Sequence, residues 1–228
     1  MHYYNNKKKR MKRLITFIAL VLPSLAFAQW RVGVNGGATY NHSTISKHYM
    51  TDYQWKDRWG VTLGVMGQYD VNDWLGVRAE LDWTQKNYRL TRQILSNLDY
   101  KYVNNYLQLP VMASFSFGGK QLRGFCNAGV YGGYWLTSGR EGTDFNNSSE
   151  KVYEFSEDIK FNSERDQRFD FGFVGGIGLE YRFCQRWAAQ VEMRYYYSTV
   201  STQKDYMRLS DPRYNSTLGV QAGLWYSF

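Results

Sequence analysis

Apolar and polar residues alternate along most of the chain after Trp30, at the two-residue period that is typical of β-strands. Eight segments carry this alternation: residues 30–40, 58–69, 74–90, 103–117, 121–138, 168–183, 187–199 and 214–228. The connections between them have 17, 4, 12, 3, 29, 3 and 14 residues, so that long and short connections alternate. Short turns at one rim and long loops at the other are typical of outer-membrane barrels. The pattern therefore predicts an all-β fold, an eight-stranded antiparallel up-and-down transmembrane β-barrel with both termini in the periplasm.

The apolar face of the predicted strands, which in the segment 74–90 extends from Leu75 to Trp83, carries no charged residue, and this decides which solvent that face meets. A soluble barrel would turn its apolar face inward, but eight strands enclose only enough space for their own side chains. The many Trp, Tyr, Phe and Leu residues would overfill that space, so the apolar face is predicted to contact lipid. Large aromatic residues near the segment ends predict two interfacial girdles. These residues are Trp30, Tyr40, Trp59, Tyr69, Trp83, Trp187 and Tyr226.

The opposite face of the strands is predicted to line the lumen, and it carries charges of both signs. Buried charges are costly unless they are paired, so we expect Arg–carboxylate networks that cross the lumen. This arrangement favours a filled barrel over its alternative, a narrow ion path through the same groups. The predicted network consists of Arg31, Arg78, Glu80, Asp82, Arg123, Asp170, Glu180, Arg182, Glu192 and Arg194.

The mean hydropathy of −0.55 excludes a bundle of membrane-spanning helices, each of which needs about 20 apolar residues. The formal net charge of +8 also has a simple origin. Six of the 28 Lys and Arg residues precede residue 14, so the chain after residue 28 carries 22 bases and 20 acids. A basic start, the short apolar run 14–22 and an Ala-Phe-Ala end predict a secretory signal peptide over residues 1–28, cleaved after Ala28. Residues 29–228 are then the barrel domain, and no nucleic-acid binding is expected.

The histidines offer the main candidate for catalytic chemistry. After the signal peptide only His42 and His48 remain, in the first long loop, with Ser43, Ser46 and Asp52 nearby. Such a group can form a hydrolase or acyltransferase site, but a solvated polar loop is the favoured interpretation. The two histidines lack the ligand spacing of a specific metal site. We therefore predict no catalytic residue, metal or cofactor.

The longest connection, residues 139–167, is the most distinctive outward feature and carries a local excess of acidic residues. Loops of this length are usually functional or disordered. Its apolar positions suggest either an extension of the flanking hairpin above the membrane or a contact with a partner. Asp144, Asn146 and Ser148 have calcium-loop spacing, but the glycine that such a loop needs is absent. Elsewhere, Pro110 predicts a bulge or local distortion in its strand, and Cys126 and Cys184 are interpreted as free thiols.

Several stretches resemble the PorT family of outer-membrane β-barrels. They are residues 106–111 (YLQLPV), 171–180 (FGFVGGIGLE) and 191–195 (VEMRY). The last strand, residues 218–228, ends on Phe228 and resembles the terminal strand that the barrel assembly machinery recognises. The resemblance implies outer-membrane residence and eight strands, with a founding member tied to protein secretion, and it implies no agreed activity.

Together these observations predict a monomeric, non-enzymatic barrel of the bacterial outer membrane, with its long loops outside the cell. It would contact outer-membrane lipid and the barrel assembly machinery. Its role would be that of an envelope scaffold or accessory protein acting through the long loops, with an extracellular or secretion-complex protein as partner. Three alternatives remain: an adhesin or receptor that binds a ligand through residues 139–167, a narrow ion channel, and a lipid-acting enzyme.

Overall fold

A computed structural model describes residues 29–45, 53–92, 99–146, 151–204 and 212–228. The predicted signal peptide and its cleavage point at Ala28 lie outside these residues. The strands are β1 (Gln29–Ile45), β2 (Tyr53–Asp70), β3 (Leu75–Gln85), β4 (Tyr88–Arg92), β5 (Asp99–Gly118), β6 (Leu122–Asn146), β7 (Lys151–Asp158), β8 (Phe169–Arg182), β9 (Trp187–Ser198) and β10 (Arg213–Ser227). No helix among the described residues is long and apolar enough to cross a membrane.

The strands form one antiparallel ring with eight positions around its circumference, which confirms the predicted fold class. β1 pairs with β2 on one side and with β10 on the other, so the first and last strands close the ring. β3 and β4 together fill the position between β2 and β5. β7 and β8 both pair with β6, one above the other, and β8 continues to β9 and β10.

The predicted strand 74–90 is divided in the structure, with a break at Lys86 and Asn87 between β3 and β4. Hydrogen bonds to side chains replace the ladder at the break. The Asn87 Oδ1 atom accepts from the Asn104 backbone N–H at 3.2 Å, and the Asn104 Nδ2 donates to the Lys86 carbonyl at 3.0 Å. The Asn87 Nδ2 donates to the Trp59 carbonyl at 3.0 Å. The chain therefore leaves regular strand geometry without losing its backbone hydrogen bonds.

Several strands continue beyond the predicted boundaries at the end of the ring that carries the long connections. Residues 139–146 of β6 pair with all of β7, so the acidic connection 139–167 extends the flanking hairpin, one of the two outcomes considered for it. β5 begins at Asp99, and β2 begins at Tyr53, where it pairs with β4. The upper parts of β2, β4, β5, β6 and β7 thus form a continuous sheet, which we call the wall.

The outer face of the ring is apolar and exposed over its middle section, with Val65, Phe173 and Ile177 between 55% and 60% exposed. Cross-strand aromatic pairs lie at both ends of this band. Trp30 and Tyr69 have ring centroids 4.9 Å apart at the end with the short turns, and Trp187 and Tyr226 are 5.1 Å apart at the same end. Tyr40 and Trp59 are 5.1 Å apart at the other end. Trp83 is half-buried and lies opposite Leu63 and Leu107, four residues along β2 from Trp59.

The last residue, Phe228, closes the seam between the two terminal strands. Its backbone N–H donates to the Trp30 carbonyl at 3.3 Å, and its ring lies 5.3 Å from the ring of Tyr226. Its side chain is 74% exposed on the outer surface. The terminal aromatic is therefore available to contact lipid or another protein.

Pro110 lies within β5 and interrupts pairing on one side only. Pairing with β3 is present at Val111 and again at Gln108, but it is missing at the two residues between them. Pairing with β6 continues in register through Pro110 and Tyr131. The proline thus causes a local gap in the β3–β5 pairing, because it has no N–H to donate to β3. The bulge in the β5–β6 pairing lies elsewhere, between Asn105 and Tyr106.

Candidate functional site

The middle of the lumen is occupied by a cluster of five charged side chains that are almost fully buried. The guanidinium of Arg194 donates to both oxygens of Glu80 at 2.7 and 2.9 Å, and to both oxygens of Glu192 at 2.6 and 3.0 Å. Arg78 donates to Glu192 at 3.2 Å. Asp82 lies 3.9 Å from Arg194. Because these side chains come from β3 and β9, on opposite sides of the ring, the cluster closes the lumen across its width.

A second group of ion pairs lies towards the short-turn end. Arg31 donates to Glu180 at 2.7 Å and lies 3.0 Å from Asp70. Trp225 is fully buried beside this group, with the guanidinium of Arg31 5.1 Å above its ring. Sequence reasoning did not single out Trp225, although its position in the lumen-facing phase of β10 was visible.

Two members of the predicted network lie at the rim rather than inside the barrel. Arg182 has a side chain that is 33% exposed and stands 3.8 Å from Glu180. Arg123 is half-buried and donates to the backbone carbonyl of Asp73 in the first short turn. Both residues are near strand ends, where the alternation continues but the enclosing ring stops. Alternation alone therefore cannot distinguish a side chain enclosed in the lumen from one at the rim.

A third group, towards the long-connection end, contains a cation that the sequence analysis missed. Lys86 is 1% exposed, and its Nζ donates to Asp170 at 2.6 Å. Ser198 donates to the same carboxylate at 2.5 Å. The ammonium also lies 5.0 and 4.9 Å from the ring centroids of Tyr106 and Tyr131. The signal was present in the sequence, since the lumen-facing phase of β3 at residues 78, 80 and 82 continues to residue 86.

Above Lys86 the lumen opens into a cavity of about 510 Å³, which we call the mouth cavity. It lies against the inner surface of the wall and beside residues 159–166 and 202–203. The residues that line it are Ser43, Tyr88, Tyr102, Asn104, Tyr106, Trp135, Ser138, Arg140, Glu157, Asp158, Ile159, Lys160, Phe161, Arg165, Asp166, Thr202, Gln203, Arg213 and Asn215. The set is rich in aromatic rings and in polar groups of both signs, as ligand sites often are.

The aromatic side chains of the mouth cavity form two stacked pairs. Tyr88 and Tyr102 are paired in register between β4 and β5, with ring centroids 4.5 Å apart. Tyr106 and Trp135 are 5.6 Å apart and nearly parallel, with an interplanar angle of 7°. Phe161 meets Trp135 edge-on at 4.9 Å. These contacts fix the rings in place, so the aromatic surface is preorganised.

Two Arg–carboxylate pairs line the mouth cavity. Arg140 donates through its Nε to Glu157 at 2.9 Å. Burial lowers the pKa of Arg140, but the hydrogen bonds and charges of Glu157 and Tyr102 together outweigh burial and bring the pKa above its ordinary value. Arg165 donates to both oxygens of Asp166 at 2.8 and 3.1 Å. Burial raises the pKa of Asp166, but the hydrogen bonds from Arg165 and the Asn162 backbone N–H, together with the charges of Arg165 and Arg213, outweigh burial and bring the pKa below its ordinary value.

Arg213 is another cation of the mouth cavity. Its guanidinium lies 4.7 Å from the ring centroid of Trp55, and its Nε atom is buried without a hydrogen-bond partner in the described part of the chain. Arg213 also lowers the pKa of Asp166 through its charge. The site therefore contains one guanidinium with remaining capacity for a ligand.

A register shift in β6 brings Arg140 into the mouth cavity. β5 and β6 pair as Asn105 with Thr137 and then as Tyr106 with Trp135, which leaves Leu136 as an extra residue. Such a bulge reverses which side of the strand faces inward. Ser138 and Arg140 therefore point to the interior, although continued alternation from Tyr134 predicts that they point outward.

The candidate catalytic residues of the first long connection are only partly within the described residues. His42 forms a hydrogen bond from Nδ1 to Asp57 Oδ1 at 2.8 Å, on the outer surface just above Tyr40. Ser43 faces the mouth cavity instead. His48, Ser46 and Asp52 lie outside the described residues. No hydroxyl within the described ranges makes a hydrogen bond to the His42 ring.

The remaining chemistry-bearing residues form no site of their own. The described residues contain no group of three or more His, Cys, Asp or Glu side chains that could hold a metal ion. Asp144 lies in β6, whereas Ser148 of the weak calcium pattern is outside the described residues. Cys126 and Cys184 are free thiols, the first half-buried and the second exposed in the short turn after β8.

Comparison with known proteins identifies a family for most of the chain. The family described as outer membrane protein beta-barrel domain matches residues 26–202. No curated protein matches the chain.

Solved structures of outer-membrane proteins have a similar architecture at low sequence identity. OprG from Pseudomonas aeruginosa is 13% identical, with 87% of this chain and 95% of that chain covered and a TM-score of 0.49. Neisserial surface protein A is 13% identical, with 88% and 99% covered and a TM-score of 0.47. Ail of Yersinia pestis is 12% identical, with 87% and 99% covered and a TM-score of 0.40. At these values the likeness concerns the architecture and says nothing about a ligand or partner.

Proposed function

Because the chain belongs to the family of outer-membrane β-barrel domains, we propose that it is a closed membrane anchor that presents a binding site at the cell surface. The observation that carries this proposal is the arrangement along the barrel axis. Buried ion pairs fill the lumen, and an open mouth cavity lies directly above them. In this role the protein is a non-enzymatic receptor or scaffold of the bacterial envelope.

The filled lumen supports an anchor rather than an ion channel. Arg78, Glu80, Glu192 and Arg194 are each at most 2% exposed and bond to one another. An ion passing along the axis would have to displace these side chains from their partners, which leaves buried charges unpaired at high cost. We expect the purified barrel to show no steady conductance in a planar lipid bilayer. A porin of known conductance, reconstituted in the same way, is the positive control, and steady ohmic currents from the present protein would overturn the proposal.

The same arrangement supports a binding role over catalysis. The aromatic and charged groups are concentrated in the mouth cavity, whereas the His42–Asp57 pair is on the outer surface and makes no described bond to a nucleophile. Replacement of His42 with Asn should therefore leave membranes that contain the protein with unchanged lipid composition. A lipid product that disappears in the His42→Asn variant would favour the enzyme alternative.

The proposal also requires that the long connections face the outside of the cell. Cys184 is exposed in a short turn and serves as a native reporter for the opposite end. Ser156, exposed on β7, is a suitable position for a second reporter. Both reporters are tested in a Cys126→Ser background, on intact cells, with a membrane-impermeant maleimide. The reagent should label the Ser156→Cys variant in intact cells, whereas Cys184 should be labelled only after the outer membrane is permeabilised. The reverse labelling order would place the mouth cavity in the periplasm and refute the proposal.

Membership of a PorT-like group, and with it a link to secretion, is a finer proposal. It is supported by the resemblance of residues 106–111, 171–180 and 191–195. A secretion-complex partner would be recovered by crosslinking in intact cells followed by purification of the barrel. Recovery of assembly factors alone would count against this part of the proposal.

A further inference from the structure

We propose that the mouth cavity binds carbohydrate, in the form of one or two sugar rings at the end of a glycan. This inference rests on the proposed binding function and names the class of ligand. The volume of the mouth cavity, about 510 Å³, lies within the range of about 300 to 1,000 Å³ for small-ligand sites. The class follows from three properties of its lining.

The first property is the set of fixed aromatic rings. Tyr88 with Tyr102, and Trp135 with Tyr106, are stacked pairs that belong to strands of the wall. A pyranose ring has an apolar face of C–H groups that packs against such rings. Because the aromatic side chains are already held by their neighbours, little conformational entropy is lost when a ligand binds.

The second property is that donors and acceptors stand side by side around these rings. The Arg140–Glu157 and Arg165–Asp166 pairs each offer N–H donors next to carboxylate oxygens. A sugar diol needs this combination, since each hydroxyl both donates and accepts a hydrogen bond. Gln203 adds an amide that can do both, and Arg213 has an unpartnered Nε among the described residues.

The third property is the near balance of charge, which argues against other ligand classes. The lining contains four cations, Arg140, Lys160, Arg165 and Arg213, and three carboxylates, Glu157, Asp158 and Asp166. A polyanion would meet the three carboxylates. A fatty acyl chain would leave the polar lining without partners, which is costly for buried groups. A polyhydroxylated ligand with no charge or a single negative charge fits both the near balance of charge and the polar character of the lining.

Calorimetric titration of the purified barrel in detergent tests the proposal. The probes are glucose, N-acetylglucosamine, glucuronic acid, disaccharides of these sugars and the glycan released from lipopolysaccharide, each titrated into the millimolar range. Saturable heat from at least one of them is expected. Binding of the free sugars indicates a soluble or host glycan, whereas binding of the released glycan alone indicates the membrane's own carbohydrate.

Paired variants locate the bound sugar. Trp135→Ala and Arg140→Gln should each weaken binding at least tenfold. Trp59→Ala and Arg58→Gln remove the same residue types outside the mouth cavity and should change affinity less than twofold. Heat-modifiable migration on gels confirms that each variant is folded.

Two results would overturn the inference: no saturable heat from any of the probes, or binding that is unaffected by both cavity variants. Because the titration uses purified protein, its outcome does not depend on membrane orientation or conductance. A negative titration therefore rejects carbohydrate while the anchor proposal stands or falls on labelling and bilayer recordings.

Discussion

Replacement of Arg194 with Met tests whether the central ionic cluster stabilises the barrel. Arg194 is 1% exposed and makes four bonds to Glu80 and Glu192. Met resembles the unbranched apolar part of the Arg side chain but has no charge, so in the variant Arg78 is the one cation left in the five-residue cluster with Glu80, Asp82 and Glu192. Loss of one partner from a buried pair typically costs about 3–5 kcal/mol, because the remaining charge is uncompensated.

This loss is large enough to measure by urea unfolding in lipid vesicles. With a slope of about 2 kcal/mol per M urea, a loss of about 4 kcal/mol lowers the unfolding midpoint by about 2 M. Tryptophan fluorescence follows the transition, and heat-modifiable migration on gels checks that the starting material is folded.

Two further variants separate charge burial from general damage. Arg182→Met removes a guanidinium of the short-turn rim, whose side chain is 33% exposed, and should cost at most about 1 kcal/mol. The double variant Arg194→Met with Glu80→Met removes both charges of the bidentate pair and should recover part of the loss. If the unfolding midpoints of Arg194→Met and Arg182→Met differ by less than about 0.5 M urea, the central ionic cluster does not stabilise the barrel as expected.

Two other predictions concern the rim and the seam of the barrel. Since the folded-state pKa of Asp166 is below its unfolded value of about 3.9, its contribution is complete above that pH and is lost as pH falls through the folded pKa. Hydrogen exchange of the Asn162 amide, which donates to Asp166 at 2.8 Å, should therefore lose protection only at acidic pH, and Asp166→Asn should remove this pH dependence. A β-carbon at Gly37 would overlap the Val220 carbonyl oxygen across the β1–β10 seam, so Gly37→Ala should destabilise by about 1–3 kcal/mol. Gly132→Ala, which meets nothing within 4 Å, should have no comparable effect on the urea midpoint.

The ring and its two faces were predictable from sequence because they depend on a local period. Strand alternation places successive side chains on opposite faces, and a continuous apolar phase has only one environment compatible with a small barrel. The same rule, continued by two residues beyond Thr84, would have identified Lys86 as a lumen cation.

The mouth cavity was not predictable in the same way, because it depends on contacts between distant segments. The break at Asn87 relies on hydrogen bonds with Trp59 and Asn104, which come from other strands. The bulge that turns Arg140 inward depends on how β5 and β6 align. In the sequence the apolar phase that runs to Trp83 gives way to Gln85, Asn87 and Arg89. The local pattern therefore shows that regular alternation ends near the first place, but it does not contain the contacts that replace it.

The groups that occlude the barrel belong to the strands that build it. Arg78, Glu80 and Arg194 are side chains of β3 and β9, and Lys86 follows β3 directly. The residues that the structure describes include no separate plug domain that could move aside, so a passage for solutes through them would require the strands to separate. In the role proposed above, a ligand bound in the mouth cavity would therefore not cross the membrane through the lumen, and a signal from it would pass laterally to neighbouring membrane proteins or to proteins at the cell surface.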